Sequence, residues 1–369
     1  MDNKEKPVVC VGMSGGVDSS AAAMLLKEQG FDVVGLYMRL WKEKDSGQRD
    51  SAAREEADAR RVAEELGIRF KVIDVRRDFK RAIVDYFLSE YENGRTPNPC
   101  VRCNREIKFG ILFGKAMELG ADYFATGHYA RIKKYTEIDD EGKRREIFRL
   151  LRARDTQKDQ SYFLYNLDQK ILRKTIFPLG EFTKLQVREL AREKKLSVHD
   201  KSDSQEVCFI SDKYYGEFLR RMKVKMHPGE IVDEDGQVLG QHQGLPLYTI
   251  GQRRDIRIGG TGPYFVIGID YKRNRLIVYR STVHKKLFSR RFSLSEVNWT
   301  ADKPDEFPLG VKVKTRYRME GVAAKVDKEK GRYVVTLSKK SRAVMPGQSA
   351  VFYRRDYVLG GGVIDKISE

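Results

Sequence analysis

Short apolar runs alternate with amphipathic stretches through the first two hundred residues of the chain. Val8–Val11 is an apolar run typical of a buried strand, and the stretch 17–29 after it has helical spacing and stops at Gly30. The same alternation continues in strand-like runs at 31–38, 70–75 and 122–126 and in helical stretches at 51–66, 78–92 and 104–119. Strands that alternate with helices predict a parallel sheet wrapped by helices, so we expect an α/β fold here.

After about residue 210 the pattern changes to short alternating runs separated by turns. The segment 230–239 places Asp235-Gly236 between two such runs, which predicts a hairpin. A second hairpin is expected over 265–279, and four further strand-like runs lie between 311 and 353. We therefore expect a parallel-sheet domain over 1–211, a small central mostly-β domain over 212–285 and a C-terminal β-barrel over 286–369.

The length and composition bound the class of protein. At 369 residues the chain is long enough for two or three domains, and 40% hydrophobic residues suffice for packed cores. No apolar run approaches the roughly 20 residues that span a bilayer, which excludes a membrane protein. Four cysteines in so long a chain do not make a secreted disulfide scaffold. We therefore expect a cytoplasmic protein.

The chain carries an excess of positive charge that is concentrated near its C-terminus. Its 71 Lys and Arg against 53 Asp and Glu give a formal net charge of +18. Residues 271–369 contain 23 basic and 10 acidic residues, a net of +13. A basic surface attracts polyanions, of which nucleic acid is the common one. The alternative, from charge alone, is a solvated surface without a partner.

A glycine-rich string, Ser14-Gly15-Gly16-Val17-Asp18-Ser19, lies between the first predicted strand and the first predicted helix. Two glycines allow a tight turn whose N–H groups point inward, and the helix N-terminus adds partial positive charge. With the serine hydroxyls as extra donors, the string predicts a phosphate-binding loop, and Asp18 is a candidate ligand for Mg²⁺ held against the phosphates. The Walker pattern is absent, which disfavours kinases and GTPases of that type.

This string resembles the pyrophosphatase-type loop (PP-loop) of the adenine nucleotide α-hydrolase-like ATPases. Those enzymes split ATP into AMP and pyrophosphate while they adenylate a substrate oxygen, so the resemblance implies ATP and Mg²⁺. The ATP contacts that it implies are Gly12, Met13, Ser14, Gly15, Gly16, Val17, Asp18 and Ser19 in the loop, with Met38 and Gly127 against the adenosine. Met38 ends one predicted strand and Gly127 follows another, at the sheet edge where α/β proteins bind ligands.

Three of the four cysteines lie in segments that suggest chemistry. The segment Thr96-Pro97-Asn98-Pro99-Cys100-Val101-Arg102-Cys103-Asn104 places Cys103 where a helix is expected to start, beside two arginines. Such surroundings favour a thiolate, so we expect a lowered thiol pKa for Cys103. Cys208 lies in a strand-like segment, and Cys10 falls inside the first strand, where core packing is expected. A C-x-x-C pair also suits zinc or a redox pair, but no second C-x-x-C is present.

The segment 96–104 and the segment Ser204-Gln205-Glu206-Val207-Cys208-Phe209-Ile210 together resemble the tRNA-specific 2-thiouridylase family. Members of this family replace the C2 oxygen of the wobble uridine of tRNA by sulfur. Further pieces agree at 158–162, 251–253, 316–318 and 346–348, so the resemblance covers essentially the whole chain.

The resemblance also implies roles for individual residues. Cys103 would be the nucleophile, and Cys208 would carry the incoming sulfur as a persulfide. The target base would be lined by Asn98, Pro99 and Cys100. The tRNA contacts would be His128, Lys158, Asp159, Gln160, Arg316, Tyr317 and Gln348. The substrates implied are the tRNAs for lysine, glutamate and glutamine.

The implied chemistry explains why a sulfur-transfer enzyme needs an ATP loop. Adenylation converts the C2 oxygen of uridine, a poor leaving group, into a good one. A persulfide on Cys208 then attacks C2, and the Cys103 thiolate resolves the resulting disulfide by exchange. Alternatively, Cys103 releases sulfide from the persulfide, and free sulfide attacks. The sulfur donor is expected to be a persulfide carrier protein or free sulfide. The wobble base must leave its stack to reach the site.

Cys100 opens a second mechanism, because many relatives have Asp at this position. Cys100, Cys103 and Cys208 together would suit a 4Fe-4S iron–sulfur cluster with one open iron for sulfide. This alternative competes with the persulfide route, since a cluster ligand cannot also carry sulfane sulfur.

Two other classes of function remain open from the sequence. Another PP-loop adenylating ligase, of the argininosuccinate or GMP synthetase type, would share the loop but leave the cysteines and the basic end unexplained. An RNA-binding scaffold would bind tRNA in a salt-sensitive manner without consuming ATP.

Overall fold

The structure, a computed structural model, describes residues 6–43, 48–138, 142–202, 207–210, 215–256, 258–259 and 263–368. Its strands are β1 (Val8–Met13), β2 (Asp32–Arg39), β3 (Arg69–Asp74), β4 (Tyr123–Thr126), β5 (Ala130–Ile138), β6 (Arg144–Arg152), β7 (Thr175–Ile176), β8 (Gly229–Val232), β9 (Val238–His242), β10 (Phe265–Asp270), β11 (Arg275–Tyr279), β12 (Phe288–Trp299), β13 (Leu309–Lys314), β14 (Val322–Glu329), β15 (Arg332–Arg342), β16 (Ser349–Arg354) and β17 (Tyr357–Ser368). Its α-helices are α1 (Val17–Glu28), α2 (Gln48–Glu65), α3 (Arg76–Phe79), α4 (Asp85–Glu92), α5 (Pro99–Cys103), α6 (Phe113–Glu118), α7 (Gln169–Arg173), α8 (Lys184–Glu193) and α9 (Tyr215–Arg221). Two π-helical segments, Lys80–Val84 and Asn104–Leu112, join α3 to α4 and α5 to α6.

The first region forms the predicted parallel sheet. Its strand order is β3-β2-β1-β4-β7, and every pairing is parallel. β1 lies at the centre, where Val9, Cys10 and Val11 are fully buried, which confirms the core position expected for Cys10. The chain leaves β1 toward β2 on one side, and β4 lies on the other. Parallel α/β sheets bind ligands at such a switch point, beyond the carboxyl ends of the strands.

The C-terminal region forms the predicted barrel. β12, β15, β14, β13, β16 and β17 pair in that order, and a β12–β17 pairing closes the ring. The two longest barrel strands, β12 and β17, were not predicted from the sequence. The hairpin β5–β6 of the first region, also not predicted, extends the same sheet by pairing with β17 at Leu151 and Tyr357.

The central region is a smaller sheet with the order β10-β11-β8-β9. Both predicted hairpins are present in it, and β8 and β11 pair in parallel to join them. Its core contains Leu245, Tyr248, Val266 and Leu276.

The first region and the barrel share a hydrophobic core. One buried cluster unites Leu150 and Tyr162 of the first region with Val351, Tyr353 and Val358 of the barrel. The barrel is therefore packed into the first region over a common apolar surface. Within the described part of the chain, no helix has the length and apolar character needed to cross a membrane.

Candidate active site

The glycine-rich loop lies at the carboxyl end of β1, as predicted. Gly15 has a φ of +71°, and a Cβ at this position would lie 2.3 Å from the Glu55 carbonyl oxygen of α2. Only glycine allows both the left-handed conformation and this close approach. The Ser14 N–H donates to Ser19 Oγ over 3.0 Å, so the loop folds back on the first turn of α1. This geometry is that of an anion-binding nest at a helix N-terminus.

Asp18 accepts two hydrogen bonds from residues far away in the sequence. Its Oδ1 accepts from the Tyr129 hydroxyl over 2.9 Å and from Lys184 Nζ over 2.7 Å. Tyr129 is held in turn by Gln160, whose side-chain oxygen accepts from the Tyr129 N–H and whose own N–H donates to the Tyr129 carbonyl. One carboxylate oxygen of the predicted Mg²⁺ ligand is therefore already paired with a cation of the protein.

A second lysine reaches the loop from the segment after α8. Lys201 Nζ donates to the Gly15 carbonyl over 2.9 Å and pairs with Asp58 over 2.8 Å. Lys184 and Lys201 thus bring positive charge to a loop whose own side chains carry a single carboxylate. Neither lysine was predicted from the sequence, because each comes from a stretch of ordinary charged residues without a motif.

The two predicted adenosine contacts occupy different surroundings. A Cβ on Gly127 would lie 2.7 Å from the backbone of Asp18 and Ser19, so glycine at this position lets the end of β4 touch the loop. Met38, at the end of β2, packs half-buried between the two clusters that flank the cysteine helix. ATP binding by these two residues stays a prediction.

The cysteine segment begins a helix earlier than expected. Asn98 caps α5 by accepting from the Val101 N–H over 3.3 Å, and Pro99 occupies the first turn. Cys103 is the last residue of α5, and the π-helix Asn104–Leu112 continues directly from it. Cys103 therefore lies inside a continuous helix and not at its N-terminus.

The expected lowering of the Cys103 pKa is wrong. Cys103 is buried, and burial raises its thiol pKa well above the ordinary value. The neighbouring arginines point elsewhere: the Arg102 guanidinium lies 4.2 Å from the ring centre of Tyr86, and Arg105 pairs with Glu106 and Glu296. Removal of the thiolate from water outweighs the positive charge that remains nearby.

The other two thiols differ from Cys103 in their exposure. Cys100 and Cys208 are both exposed. Even so, burial by the surrounding protein raises the pKa of Cys100 to about 11 and also raises the pKa of Cys208. Negative charge on Cys208 further raises the pKa of Cys100 and Cys103, so the three thiols lie within electrostatic range of one another.

Lys108 is the cation that these thiols share. Its positive charge lowers the thiol pKa of Cys100, Cys103 and Cys208 and opposes the effect of burial. Its Nζ lies 3.4 Å from His128 Nε2, and His128 Nδ1 lies 2.7 Å from Thr126 Oγ1. Lysine is a donor without an acceptor, so it donates to His128, and the imidazole proton is on Nδ1.

His128 is a buried, neutral side chain. Its ring contacts Phe109 and Phe177, and burial lowers its pKa well below the usual range, with Lys108 adding to the shift. These contacts favour a structural role in holding Lys108. Its predicted contact with tRNA stays a prediction.

Cys208 is presented by a turn and not by the expected strand. Ile210 N–H donates to the Val207 carbonyl over 2.9 Å, and Phe209 is buried among the rings of Phe79, Phe87 and Phe218. The apolar character of this segment serves that cluster, because no strand lies beside it among the described residues. Lys42 Nζ donates to the Cys208 carbonyl over 2.8 Å. Residues 203–206, the first part of the predicted motif, lie outside the described residues.

The loop predicted to contact tRNA before α7 is largely occupied with protein contacts. Asp159 is 2% exposed and accepts hydrogen bonds from Arg152, from the Ala153 N–H and from the Ser161 N–H. Lys158 is half-buried, and its N–H donates to Asp155. Together with the bonds between Gln160 and Tyr129, these contacts brace the PP-loop, and the predicted contacts with tRNA stay predictions.

Three predicted tRNA contacts come from the barrel. Arg316 is half-buried, and its Nε has no hydrogen-bond partner among the described residues. Tyr317 lies 4.5 Å, between ring centres, from Phe163. Gln348 Nε2 donates to the carbonyls of Thr96 and Pro97, both over 3.0 Å. The structure thus places Gln348 directly against the segment that leads into the cysteine helix.

A metal site is not preformed. Among the residues that the structure describes, no group of three or more His, Cys, Asp or Glu side chains is placed to hold a metal ion. Cys100, Cys103 and Cys208 are thus not arranged around a single metal ion, and an iron–sulfur cluster on these thiols stays a prediction.

Comparison with known proteins covers almost the whole chain. Family models match at residues 7–212 ("tRNA methyl transferase HUP domain"), 216–280 ("tRNA methyl transferase PRC-barrel domain") and 289–364 ("Aminomethyltransferase beta-barrel domain"). The NMN synthetase structure from Francisella tularensis resembles 61% of this chain and 75% of that chain, at 17% identity with a TM-score of 0.33, too distant to support an argument.

Curated relatives are much closer. The tRNA-specific 2-thiouridylase MnmA of Shouchella clausii is 44% identical over 100% of this chain and 99% of the relative. The protein of the same name from Chloroflexus aurantiacus is 46% identical over 96% of this chain and 98% of the relative. The one from Carboxydothermus hydrogenoformans is 44% identical over 99% of this chain and 100% of the relative. The chain therefore belongs to the tRNA-specific 2-thiouridylase family.

Proposed function

We propose that this protein is an ATP-dependent tRNA sulfurtransferase that replaces the C2 oxygen of the wobble uridine by sulfur. The observation that carries the proposal is that the PP-loop and the thiols adjoin. Gly127 touches the loop at Asp18, and the next residue, His128, accepts from the lysine that the thiols share. On the other side, Glu55 meets Gly15 through its carbonyl and raises the pKa of Cys208 through its charge.

The PP-loop would hold the phosphates of ATP for adenylation. The loop N–H groups and the Ser14 hydroxyl are donors for phosphate oxygens, and Lys184 and Lys201 supply charge that stabilises departing pyrophosphate. Mg²⁺ would be held by the phosphates with Asp18 as the nearest carboxylate, in competition with Lys184. The C2 oxygen of uridine bonds to the α-phosphorus, and pyrophosphate leaves.

The thiols would then exchange oxygen for sulfur. The terminal sulfur of a Cys208 persulfide attacks C2, and the adenylated oxygen leaves as AMP. The nucleoside is now joined to Cys208 by a disulfide. The Cys103 thiolate attacks the sulfur of Cys208, which releases 2-thiouridine and leaves a Cys103–Cys208 disulfide for an external thiol to reduce. In the variant route, Cys103 attacks first and releases sulfide, and the same disulfide results.

The tRNA would be held by the basic barrel. Arg316 would bring its positive charge to the tRNA backbone: its guanidinium donates to the Ala343 carbonyl, and burial and the neighbouring Arg342 lower its pKa, which a phosphate nearby would oppose. Tyr317 lies near Tyr162, which hydrogen-bonds Asn98 beside the target-base position. The tRNAs for lysine, glutamate and glutamine are the proposed substrates. A persulfide carrier protein is the proposed donor, because its sulfane sulfur can pass to the Cys208 thiolate, whereas free sulfide would serve only by attacking C2 directly.

An iron–sulfur mechanism is the alternative, in which Cys100, Cys103 and Cys208 would hold the cluster. Anaerobic purification separates the two mechanisms. Full thiolation by iron-free protein supports the persulfide route. Iron and sulfide bound in near-equal amounts, and lost in Cys100→Ala, would support the cluster instead.

The test of the proposed function uses unmodified tRNA transcripts with ATP and a persulfide carrier protein as the sulfur source. We expect pyrophosphate release that depends on tRNA, and a wobble nucleoside in which mass spectrometry finds oxygen replaced by sulfur. Cys103→Ser is expected to lower the rate about 1,000-fold or more, whereas Cys10→Ala in the core is the matched control that keeps activity.

The same assay separates the other functions. A methylated nucleoside would indicate a methyltransferase, the activity that the descriptions of two family models name, and not a thiolating enzyme. Pyrophosphate release with a small-molecule acceptor, and none with tRNA, would support another adenylating ligase. Salt-sensitive tRNA binding without pyrophosphate release would support an RNA-binding scaffold.

A further inference from the structure

The segment Gly94–Pro97, here called the strap, leads directly into the helix that carries Cys100 and Cys103. It lies in the first region of the chain, between α4 and α5. Its polar contacts and its packing come largely from residues more than 170 positions away in the sequence. The position of the strap therefore depends on the barrel and on the central region.

The barrel contacts the strap through the turn between β15 and β16. The Thr96 N–H donates to the Pro346 carbonyl over 2.9 Å. Gln348 Nε2 donates to the carbonyls of Thr96 and Pro97. At Gly347, which has a φ of +90°, a Cβ would lie 2.8 Å from the Thr96 oxygen, so the two backbones are in direct contact.

The central region holds the strap at its other end. Tyr271, in the turn between β10 and β11, lies over Gly94, where a Cβ would approach the ring to 2.2 Å. Gly94 has a φ of +72°, so glycine is required both for the turn and for the tyrosine. Tyr271 is 43% exposed, and the contact therefore lies at the surface.

Charged pairs with the barrel flank these contacts on both sides of the cysteines. Arg95 pairs with Asp365 over 3.2 Å and donates to the Ile364 carbonyl. Beyond the cysteines, Arg105 pairs with Glu296 of β12 over 2.8 Å. The cysteine helix is therefore fixed to the barrel before and after its thiols.

The hydrogen bonds of Gln348 limit its ability to contact tRNA. A side-chain amide has two N–H donors, and both are directed at strap carbonyls. Gln348 can offer RNA its amide donors only by releasing the strap.

We propose that Gln348 and Tyr271 are positioning residues, which place the Cys100–Cys103 helix against the PP-loop by holding the strap. The two later regions of the chain thereby set the geometry of the thiols as well as binding substrate. An effect of these residues on the rate of thiolation rests on the proposed function, but their effect on the order of the strap does not.

The structural arm of the test needs neither ATP nor tRNA. In the full chain, Gln348→Leu is expected to speed amide hydrogen exchange over 96–104 by about tenfold or more, because it removes both donors. Tyr271→Ala, at an exposed site, is expected to act in the same direction should Gln348→Leu fold poorly. Gln237→Leu, on an exposed hairpin turn, is the matched control and leaves exchange unchanged. Unchanged exchange in both variants overturns the proposal.

The kinetic arm separates positioning from RNA contact. For Gln348→Leu we expect kcat for thiolation to fall by about 10- to 100-fold, because misplacement of reacting groups by about 1 Å costs this much. The dissociation constant for tRNA is expected to stay within about twofold. Weakened tRNA binding with normal kcat at saturating tRNA would show that Gln348 is an RNA contact and overturn the proposal. If the protein without substitutions does not thiolate tRNA, the proposed function is wrong. The hydrogen-exchange result then still tests whether Gln348 and Tyr271 hold the strap.

Discussion

Lys108 shows how one residue can counter an unfavourable environment. All three thiols have pKa values that burial raises, yet the proposed chemistry needs at least one thiolate. The positive charge of Lys108 lowers the pKa of all three thiols and so opposes the effect of burial. Its distance of five positions from Cys103 matters, because the π-helix Asn104–Leu112 bonds residues five apart, whereas in an α-helix residues five apart face different ways.

We predict that Lys108→Met slows alkylation of the exposed thiols at pH 8, because removing this cation raises their pKa further and leaves less thiolate. Lys108→Arg, which keeps the charge, is expected to stay near the unmodified rate. Lys115→Met, which removes an exposed lysine from α6, serves as the control. The rate of iodoacetamide labelling of Cys100 and Cys208 is the measurement. Equal rates for Lys108→Met and the control would contradict this role.

Raised thiol pKa values also predict a pH profile. Because the pKa of Cys100 is about 11, its alkylation in the free protein should keep accelerating above pH 9. An ordinary thiol would level off near its usual pKa of about 8.5. A plateau at or below pH 8.5, measured on the Cys208→Ser variant to isolate Cys100, would contradict the burial argument.

His128 predicts a pH dependence of stability. Its folded pKa is lowered, so between the usual value of about 6.5 and the folded value the unfolded chain binds one more proton. The free energy of unfolding should therefore decrease as pH falls below 6.5, by about 1.4 kcal/mol per pH unit from this group. Denaturant unfolding of His128→Gln should lack this contribution. Identical slopes for both proteins between pH 6.5 and 5 would exclude it.

Among the elements, the PP-loop has the strictest steric demands. Gly15 and Gly30 both have positive φ, but a Cβ on Gly30 has nothing within 4 Å, whereas one on Gly15 meets the backbone of α2. Substitution of Gly30 therefore tests the backbone conformation alone, whereas substitution of Gly15 tests the conformation together with the close contact to α2.

We predict that Gly30→Ala costs about 1 kcal/mol of stability, the penalty of the left-handed conformation. Gly15→Ala should cost clearly more and should abolish nucleotide binding, because the loop must move off α2. Thermal unfolding and titration with ATP measure both effects. Equal losses of stability, or normal ATP binding by Gly15→Ala, would refute the steric argument.

The elements also show where sequence reasoning succeeds. Val8–Val11 and the string after it specify a buried strand, a tight turn and a helix by local rules, and the first region follows them. The hairpin β5–β6 was missed because its strands are charged and half exposed, without clear alternation. The segment around Cys208 was misread as a strand because an aromatic residue that enters a cluster from a turn has the same composition as a short strand.

The thiol environment illustrates what the sequence cannot provide. Local sequence suggested that arginines would activate Cys103, but burial and the partners of Arg102 and Arg105 depend on the tertiary fold. Lys184 and Lys201 reach the loop from more than 160 residues away and carry no motif. Residues with recognisable motifs could be predicted, whereas the cations that support them could not.

At the scale of the whole molecule, the barrel and the first region share a hydrophobic core. Val351, Tyr353 and Val358 fill the same core as Leu150 and Tyr162. One core thus contains side chains from both sides of residue 285. The domain division 1–211, 212–285 and 286–369 stays a prediction.

We predict that a chain truncated after residue 285 does not retain a native first region. Removing the barrel uncovers the shared core and releases the strap, so the fragment should be rapidly proteolysed and should lack a cooperative thermal transition. The complete chain treated in the same way is the control. A fragment that unfolds cooperatively at the same temperature as the complete chain would show that the barrel is separable.

The central claim is that the PP-loop directs adenylation to the C2 oxygen of the wobble uridine before sulfur replaces it. The most direct measurement uses tRNA whose wobble uridine carries oxygen-18 at C2, in a single turnover with ATP and a sulfide source. The account predicts that the released AMP carries the label and that pyrophosphate does not. Label that remains in the thiolated RNA, or that appears in water while AMP is unlabelled, would contradict it.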